Sequence, residues 1–140
     1  MSKDIKNMNV RWRWLKGMYI LTIIHAGGTG LGTILFPSIT QSNMGWPSQD
    51  PIVLGICGSV YVAFGLLSIL GLRSPLKLSP VLLLQLTYKV VWFLGVILPG
   101  LIAGKLPAYA IVHVVTFAVY IIGDLIAIPF SYIFAKQSDR

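Results

Sequence analysis

Apolar residues run almost unbroken through four stretches of the chain, Gly17 to Pro37, Pro51 to Leu72, Pro80 to Ala103 and Pro107 to Phe134, separated by short polar intervals. Each reaches the length of about 20 residues that an α-helix needs to cross the hydrocarbon core of a bilayer. Hydrocarbon offers no partner to a backbone N–H or C=O, and the stretches lack the two-residue alternation of a membrane barrel strand, so the pattern predicts helices. Pro51, Pro80 and Pro107 stand at the starts of stretches, where a missing N–H costs little, and Pro37 stands where the first one ends. Pro99 and Pro129 fall near the last turns of the third and fourth and predict a kink or a stop there. The fold expected is all-α: a polytopic membrane protein whose four transmembrane helices pack as an antiparallel bundle, because short loops make consecutive helices neighbours.

Polar residues inside these stretches fall on helical faces. In the fourth, His113, Thr116, Tyr120 and Asp124 recur at steps that keep them on one side, and in the first Thr22, His25, Thr29 and Gly32 do the same. The third carries Gln85, Tyr88, Lys89 and Trp92. At about 1.5 Å rise per residue, Lys89 and Asp124 each lie about 15 Å from the cytoplasmic ends of their helices, and His25 lies about 14 Å from Lys16. A lysine cannot snorkel that far, and an isolated charge near mid-bilayer costs several kcal/mol, so burial in protein or in a wet cavity follows. Lys89 and Asp124 should meet, directly or through one water, and His25 should face helix three or four. The threonines, in contrast, can bond the carbonyl one turn back and need no partner.

Small residues mark the first two stretches. Gly27, Gly28, Gly30 and Gly32 in one and Gly55, Gly58 and Gly65 in the other include the G-x-x-x-G spacing Gly28 to Gly32, which predicts close helix packing within or between protomers.

Composition agrees with a chain in lipid. Of 140 residues, 56% are hydrophobic and 11% charged, far from a soluble domain, and the mean hydropathy is +0.80. Four spans leave no room for a second domain, so residues 1–140 read as one membrane domain opened by a basic amphipathic segment, 1–16. That segment holds Lys3, Lys6, Arg11, Arg13 and Lys16. The apolar stretch after it is longer than a signal-peptide core and has no A-x-A cleavage pattern, which predicts a retained anchor. Trp12 and Trp14 suit the headgroup interface. With Arg73, Lys77, Lys136 and Arg140, nine basic residues fall on one side against Lys105 on the other, and the positive-inside rule puts both termini in the cytoplasm, at the inner membrane if the source is bacterial. The net charge of +7 therefore follows the membrane and argues against nucleic acid as a partner.

Familiar chemistries are excluded in turn. Haem ligation by two histidines needs matched depth, whereas His113 sits about 7 Å nearer the outer surface than His25. A metal cluster would want more His, Cys or carboxylate ligands than a chain with no glutamate supplies. No hydrolase elbow, phosphate loop or C-x-x-C is present, so no cofactor is expected. The single cysteine, Cys57, reads as a small packing residue.

The stretch Gly58 to Gly95, GSVYVAFGLLSILGLRSPLKLSPVLLLQLTYKVVWFLG, joins a glycine- and aromatic-rich span to a polar-aromatic one through a short basic turn. It resembles the DoxX-like group of small four-helix membrane proteins over less than half of the chain. The resemblance implies a four-helix membrane bundle, sometimes associated with respiratory or redox complexes, and no catalytic residues to carry over.

The function expected from these residues is binding or passage of a proton or small solute through an intramembrane layer of His25, Lys89 and Asp124, lined by Tyr61, Gln85, Tyr88, His113 and Tyr120. Four helices barely enclose a path, so a homo-oligomer is expected to form it. Two alternatives stay open: a membrane-embedded enzyme of isomerase type moving protons on a hydrophobic or lipid-like substrate, and an accessory subunit docked in a larger membrane complex.

Overall fold

Without water to satisfy it, the backbone of each apolar stretch closes its hydrogen bonds along its own axis, and the computed structural model, which describes residues 10–135, is helical in all four. Four helices are long and apolar enough to cross a membrane: α1 (Trp12–Leu35), α3 (Pro51–Arg73), α4 (Ser79–Ile102) and α5 (Ala110–Ala127). Two short helices complete the set, α2 (Pro37–Met44) before α3 and α6 (Phe130–Ile133) after α5. No strand occurs among the described residues. Lys3, Lys6, Lys136 and Arg140, four of the nine basic residues counted toward the cytoplasmic side, lie outside the described residues.

The helix ends follow local chemistry. Pro51 opens α3, and the Asp50 carboxylate before it accepts from Ile52 N and Val53 N at 3.0 Å, taking up two amides that the first turn cannot satisfy. At the end of α2, Gly45 takes φ +66°. Its N–H reaches Ser42 O and that of Trp46 reaches Gln41 O, the double closure of a Schellman turn, which needs a residue without Cβ at its left-handed position. Gly104, at φ +62°, repeats the device after α4 through Leu101 O and Gly100 O. Helix α5 stops at Ala127, seven residues short of the expected Phe134, because Pro129 forces Ile128 into extended backbone at ψ 124°. Helix α1 starts earlier than expected, so Trp12, Trp14 and Lys16 belong to it.

Two spans each contain a wide π turn, Thr22–Gly27 in α1 and Phe93–Ile97 in α4. The second precedes Pro99, which lacks the N–H needed to continue the α ladder. The first changes which face of α1 is inside. An extra residue in the turn displaces the stripe, so Gly30 and Thr33 are buried where Thr29 and Gly32 were expected beside Thr22.

The contact between α1 and α3 is glycine to glycine. A Cβ on Gly30 would stand 2.7 Å from Gly58 O and from Val62 N, and one on Gly65 would stand 2.8 Å from Gly27 Cα. The expected pair Gly28 and Gly32 is not that seam: a Cβ on Gly28 would meet nothing within 4 Å, and Gly32 faces Thr40 of α2 at 3.1 Å. Lower on the same helices Gly71 receives the ring of Tyr19, and Gly123 of α5 receives Met18. Around these contacts Leu15, Met18, Tyr19, Leu82, Leu86 and Tyr120 form the buried apolar core.

Hydrogen bonds tie the ends together. Arg11 Nη1 donates to Ile126 O at 3.4 Å, serving the open carbonyl end of α5, and Tyr19 OH donates to Pro75 O at 2.8 Å in the turn between α3 and α4. At the opposite end Trp46 reaches α5 through His113.

Candidate functional site

Three helices bring four polar side chains into one sealed layer. Gln85 and Lys89 stand one turn apart on α4, Asp124 comes from α5 and Thr22 from the first residue of the π turn in α1. Gln85, Asp124 and Thr22 are 0% exposed and Lys89 is 1% exposed. The Thr22 hydroxyl lies 2.8 Å from Met18 O, to which it donates, and 3.2 Å from Gln85 Oε1. Gln85 Nε2 donates to Asp124 Oδ2 at 3.2 Å. The other carboxylate oxygen, Oδ1, is buried and has no hydrogen-bond partner among the described residues.

Lys89 does not touch Asp124. The direct form of the expected meeting does not occur, because Gln85, one turn before Lys89, reaches the carboxylate first. Lys89 Nζ instead donates to Tyr88 OH at 2.9 Å and rests over aromatic faces, 4.3 Å from the ring centres of Tyr88 and Tyr120 and 5.1 Å from that of Phe117. The negative faces of these rings attract the ammonium, and desolvation strengthens that attraction. Tyr120 is itself fixed, its hydroxyl donating to Leu21 O at 3.2 Å at the edge of the π turn.

Next to the ammonium cage lies a cavity of about 380 Å³ between α3, α4 and α5, walled by Cys57, Tyr61, Tyr88, Trp92, His113 and Phe117. A second of about 310 Å³ adjoins it, sharing Cys57 and Tyr61 and reaching Trp46 and Tyr109. Cys57 is thus exposed rather than the packing residue the sequence suggested. The rings form a connected series: Phe64 to Tyr88 at 5.5 Å, Tyr88 to Phe117 at 5.9 Å and Phe117 to Trp92 at 4.9 Å. Trp46 Nε1 donates to His113 Nε2 at 3.1 Å, which leaves Nδ1 as the protonated nitrogen, donating to Tyr109 O at 3.1 Å. The Schellman turn at Gly45 delivers that indole.

Seven of the eight residues proposed from sequence fall into two groups, and His25 stands apart. Lys89, Asp124, Gln85, Tyr88 and Tyr120 form the layer and its cage, while Tyr61 and His113 line the cavity beside it. His25 is half-buried with its ring 5.6 Å from that of Tyr120, and it makes no side-chain hydrogen bond among the described residues. Thr22 therefore supplies the contact to the layer that was expected of His25. Sequence reading also passed over Phe117, Trp46 and Phe64. Phe117 carried a usable signal, since His113, Phe117, Tyr120 and Asp124 share a helical face as well as the set containing Thr116 does. What the arrangement can do chemically is limited and definite: it keeps the Lys89 amine and the Asp124 carboxyl on separate partners in a buried layer, and the Tyr88 that bonds Lys89 also walls an aromatic cavity. No family model, curated protein or solved structure matches the chain.

Proposed function

We propose that the protein is an integral membrane bundle of four antiparallel spans with both termini in the cytoplasm, and that its buried layer binds a proton or small solute admitted through the aromatic cavity. The observation that carries this reading is the hydrogen bond from Lys89 to Tyr88 in place of an ion pair with Asp124. A clamp between helices would close its charges on each other, since a buried pair repays its desolvation only through close contact. Here Lys89 Nζ bonds Tyr88 and Asp124 Oδ2 accepts from Gln85, so neither group is spent on the other, and the Tyr88 oxygen accepts from Lys89 so that its own proton is directed elsewhere. A hydroxyl polarised by an adjacent ammonium is a strengthened donor for an acceptor oxygen in an apolar cavity. The predominantly aromatic walls favour, as a second reading, a hydrophobic molecule as occupant and with it an enzyme that moves protons on such a substrate.

Cys57 gives the test. It is the only cysteine of the chain and lines both cavities. Protein reconstituted in liposomes with a lumenal pH dye should lose at least roughly tenfold of any proton flux after stoichiometric alkylation of Cys57 with N-ethylmaleimide, the loss expected when a bulky group fills the site of entry. Full alkylation with unchanged flux would show that the cavity is not the entrance. No flux in either state would favour the enzyme or the accessory-subunit reading.

Orientation rests on the basic residues. Cysteines placed at Ser2, Ser42 and Gln137 in a Cys57→Ser background should react with an impermeant maleimide only at Ser42 in intact cells. External labelling at either terminal position would reverse the topology.

A further inference from the structure

A third concavity lies outside the polar layer, on the outer face of the α1–α5 contact, and runs from Arg13 near the start of α1 to Leu21 and Gly123, whose neighbours Thr22 and Asp124 belong to that layer. It has a volume of about 750 Å³ and is bounded by Arg13, Trp14 and Gly17 of α1 and by Val119, Ile122 and Gly123 of α5. Its floor is the contact of Met18 with Gly123, where the absence of a side chain on α5 lets the helices close below while the cleft stays open above. Gly17 keeps the opposite wall low, and a Cβ there would meet nothing within 4 Å. Trp14, Val119 and Ile122 are exposed, so the walls are apolar and face outward, where lipid surrounds a membrane span. At the mouth stand one guanidinium and one indole, at the level where the first span meets the headgroups.

We propose that this cleft holds an anionic phospholipid, with an acyl chain along Gly17 and Gly123 and the headgroup phosphate on Arg13. The argument is charge complementarity joined to shape. Guanidinium matches a phosphate through two parallel N–H donors, an indole is at home at the depth of the ester and headgroup region, and basic residues over a groove between spans suit acidic headgroups. Arg11 does not share this role, because it does not line the cleft and its guanidinium reaches toward Ile126 O instead. The inference requires that the chain sits in a membrane and is independent of what the polar layer binds.

Native mass spectrometry of the full chain, released from micelles containing equal phosphatidylglycerol and phosphatidylcholine, tests it. The wild type should retain phosphatidylglycerol preferentially. Arg13→Gln should cut that preference roughly fivefold, the factor one basic side chain near an anionic surface supplies, and lower phosphatidylcholine retention less, because choline already balances its phosphate. Gly17→Leu should reduce retention of both lipids while its thermal unfolding stays at the wild-type midpoint. Should that variant fail to fold, Ile122→Trp on the facing, exposed wall fills the same space. Excess inorganic phosphate should leave the lipid-bound species intact. The proposal is overturned if the preference survives Arg13→Gln, if neither filling variant lowers retention, if inorganic phosphate displaces the lipid, or if the filling variants abolish a dimer instead, which would make the cleft a seam between two copies.

Discussion

Gly30→Ala should destabilise the protein by about 3 kcal/mol, the upper part of the range for forcing a methyl into a closed contact, whereas Gly28→Ala, two residues away, should stay within about 0.5 kcal/mol. The difference lies in what each new methyl meets. On Gly30 it would stand 2.7 Å from two backbone atoms of α3 and 2.8 Å from Tyr61 Cβ, so the helices themselves must separate; on Gly28 it meets nothing within 4 Å. In lipid the loss is not recovered by a stronger hydrophobic effect elsewhere, since lipid tails are as apolar as the helix faces and packing carries the association. Unfolding in mixed micelles with increasing dodecyl sulfate, followed by circular dichroism, compares the two. Equal midpoints would refute the glycine seam. Because Tyr61 walls the cavities, Gly30→Ala should also alter the alkylation rate of Cys57, and Gly28→Ala should not.

Lys89→Met should cost about 3 kcal/mol, the sum of a desolvated cation–π contact worth about 2 kcal/mol and a charged hydrogen bond to Tyr88, and less than breaking a contacting ion pair would. The layer would then hold a carboxylate with only the Gln85 amide against it, and the cage of Tyr88, Tyr120 and Phe117 would lose the cation it surrounds. Adding Asp124→Leu should recover most of the loss, since a neutral layer no longer needs compensation, and the same unfolding assay on wild type, both single variants and the double variant gives the coupling. Coupling below about 0.5 kcal/mol would mean that the two charges act independently. The double variant also separates structure from function. If the layer binds a proton or polar solute, it should fold and show no flux; full flux in a folded double variant would reduce both residues to a structural role.

The four spans were legible because lipid imposes a simple rule on sequence, and each stretch between Gly17 and Phe134 obeys it over enough residues to be unmistakable. Helix α2 was missed although Pro37 at its start and Gly45 just past its end are the expected punctuation. Its residues, PSITQSNM, carry no apolar period, so hydropathy passed over it. The depth of Lys89 and Asp124 could be reckoned from helical rise, but rotation about the helix axis could not, and rotation decides that Gln85 meets the carboxylate. The π turn in α1 has no signature in residue type, and every face assigned beyond it was one residue out of phase. The third wall of the aromatic cage escaped notice because Phe117, unlike Tyr88 and Tyr120, looks like an ordinary core residue until a cation is found beside it.

That wide turn gives α1 a property a regular helix lacks. One continuous rod serves two interfaces of different phase, Thr22 turned to Gln85 on one side of the turn and Gly30 turned to Gly58 on the other. A surplus residue in a helix can migrate, and each step of its migration would hand one residue from one phase to the other, swinging that side chain about 100° around the axis while the ends of the rod stay in place. The helix is in effect geared: the glycine seam from Gly27 to Gly30 can hold still against α3 while the residues from Thr22 to Ala26, His25 among them, change partners.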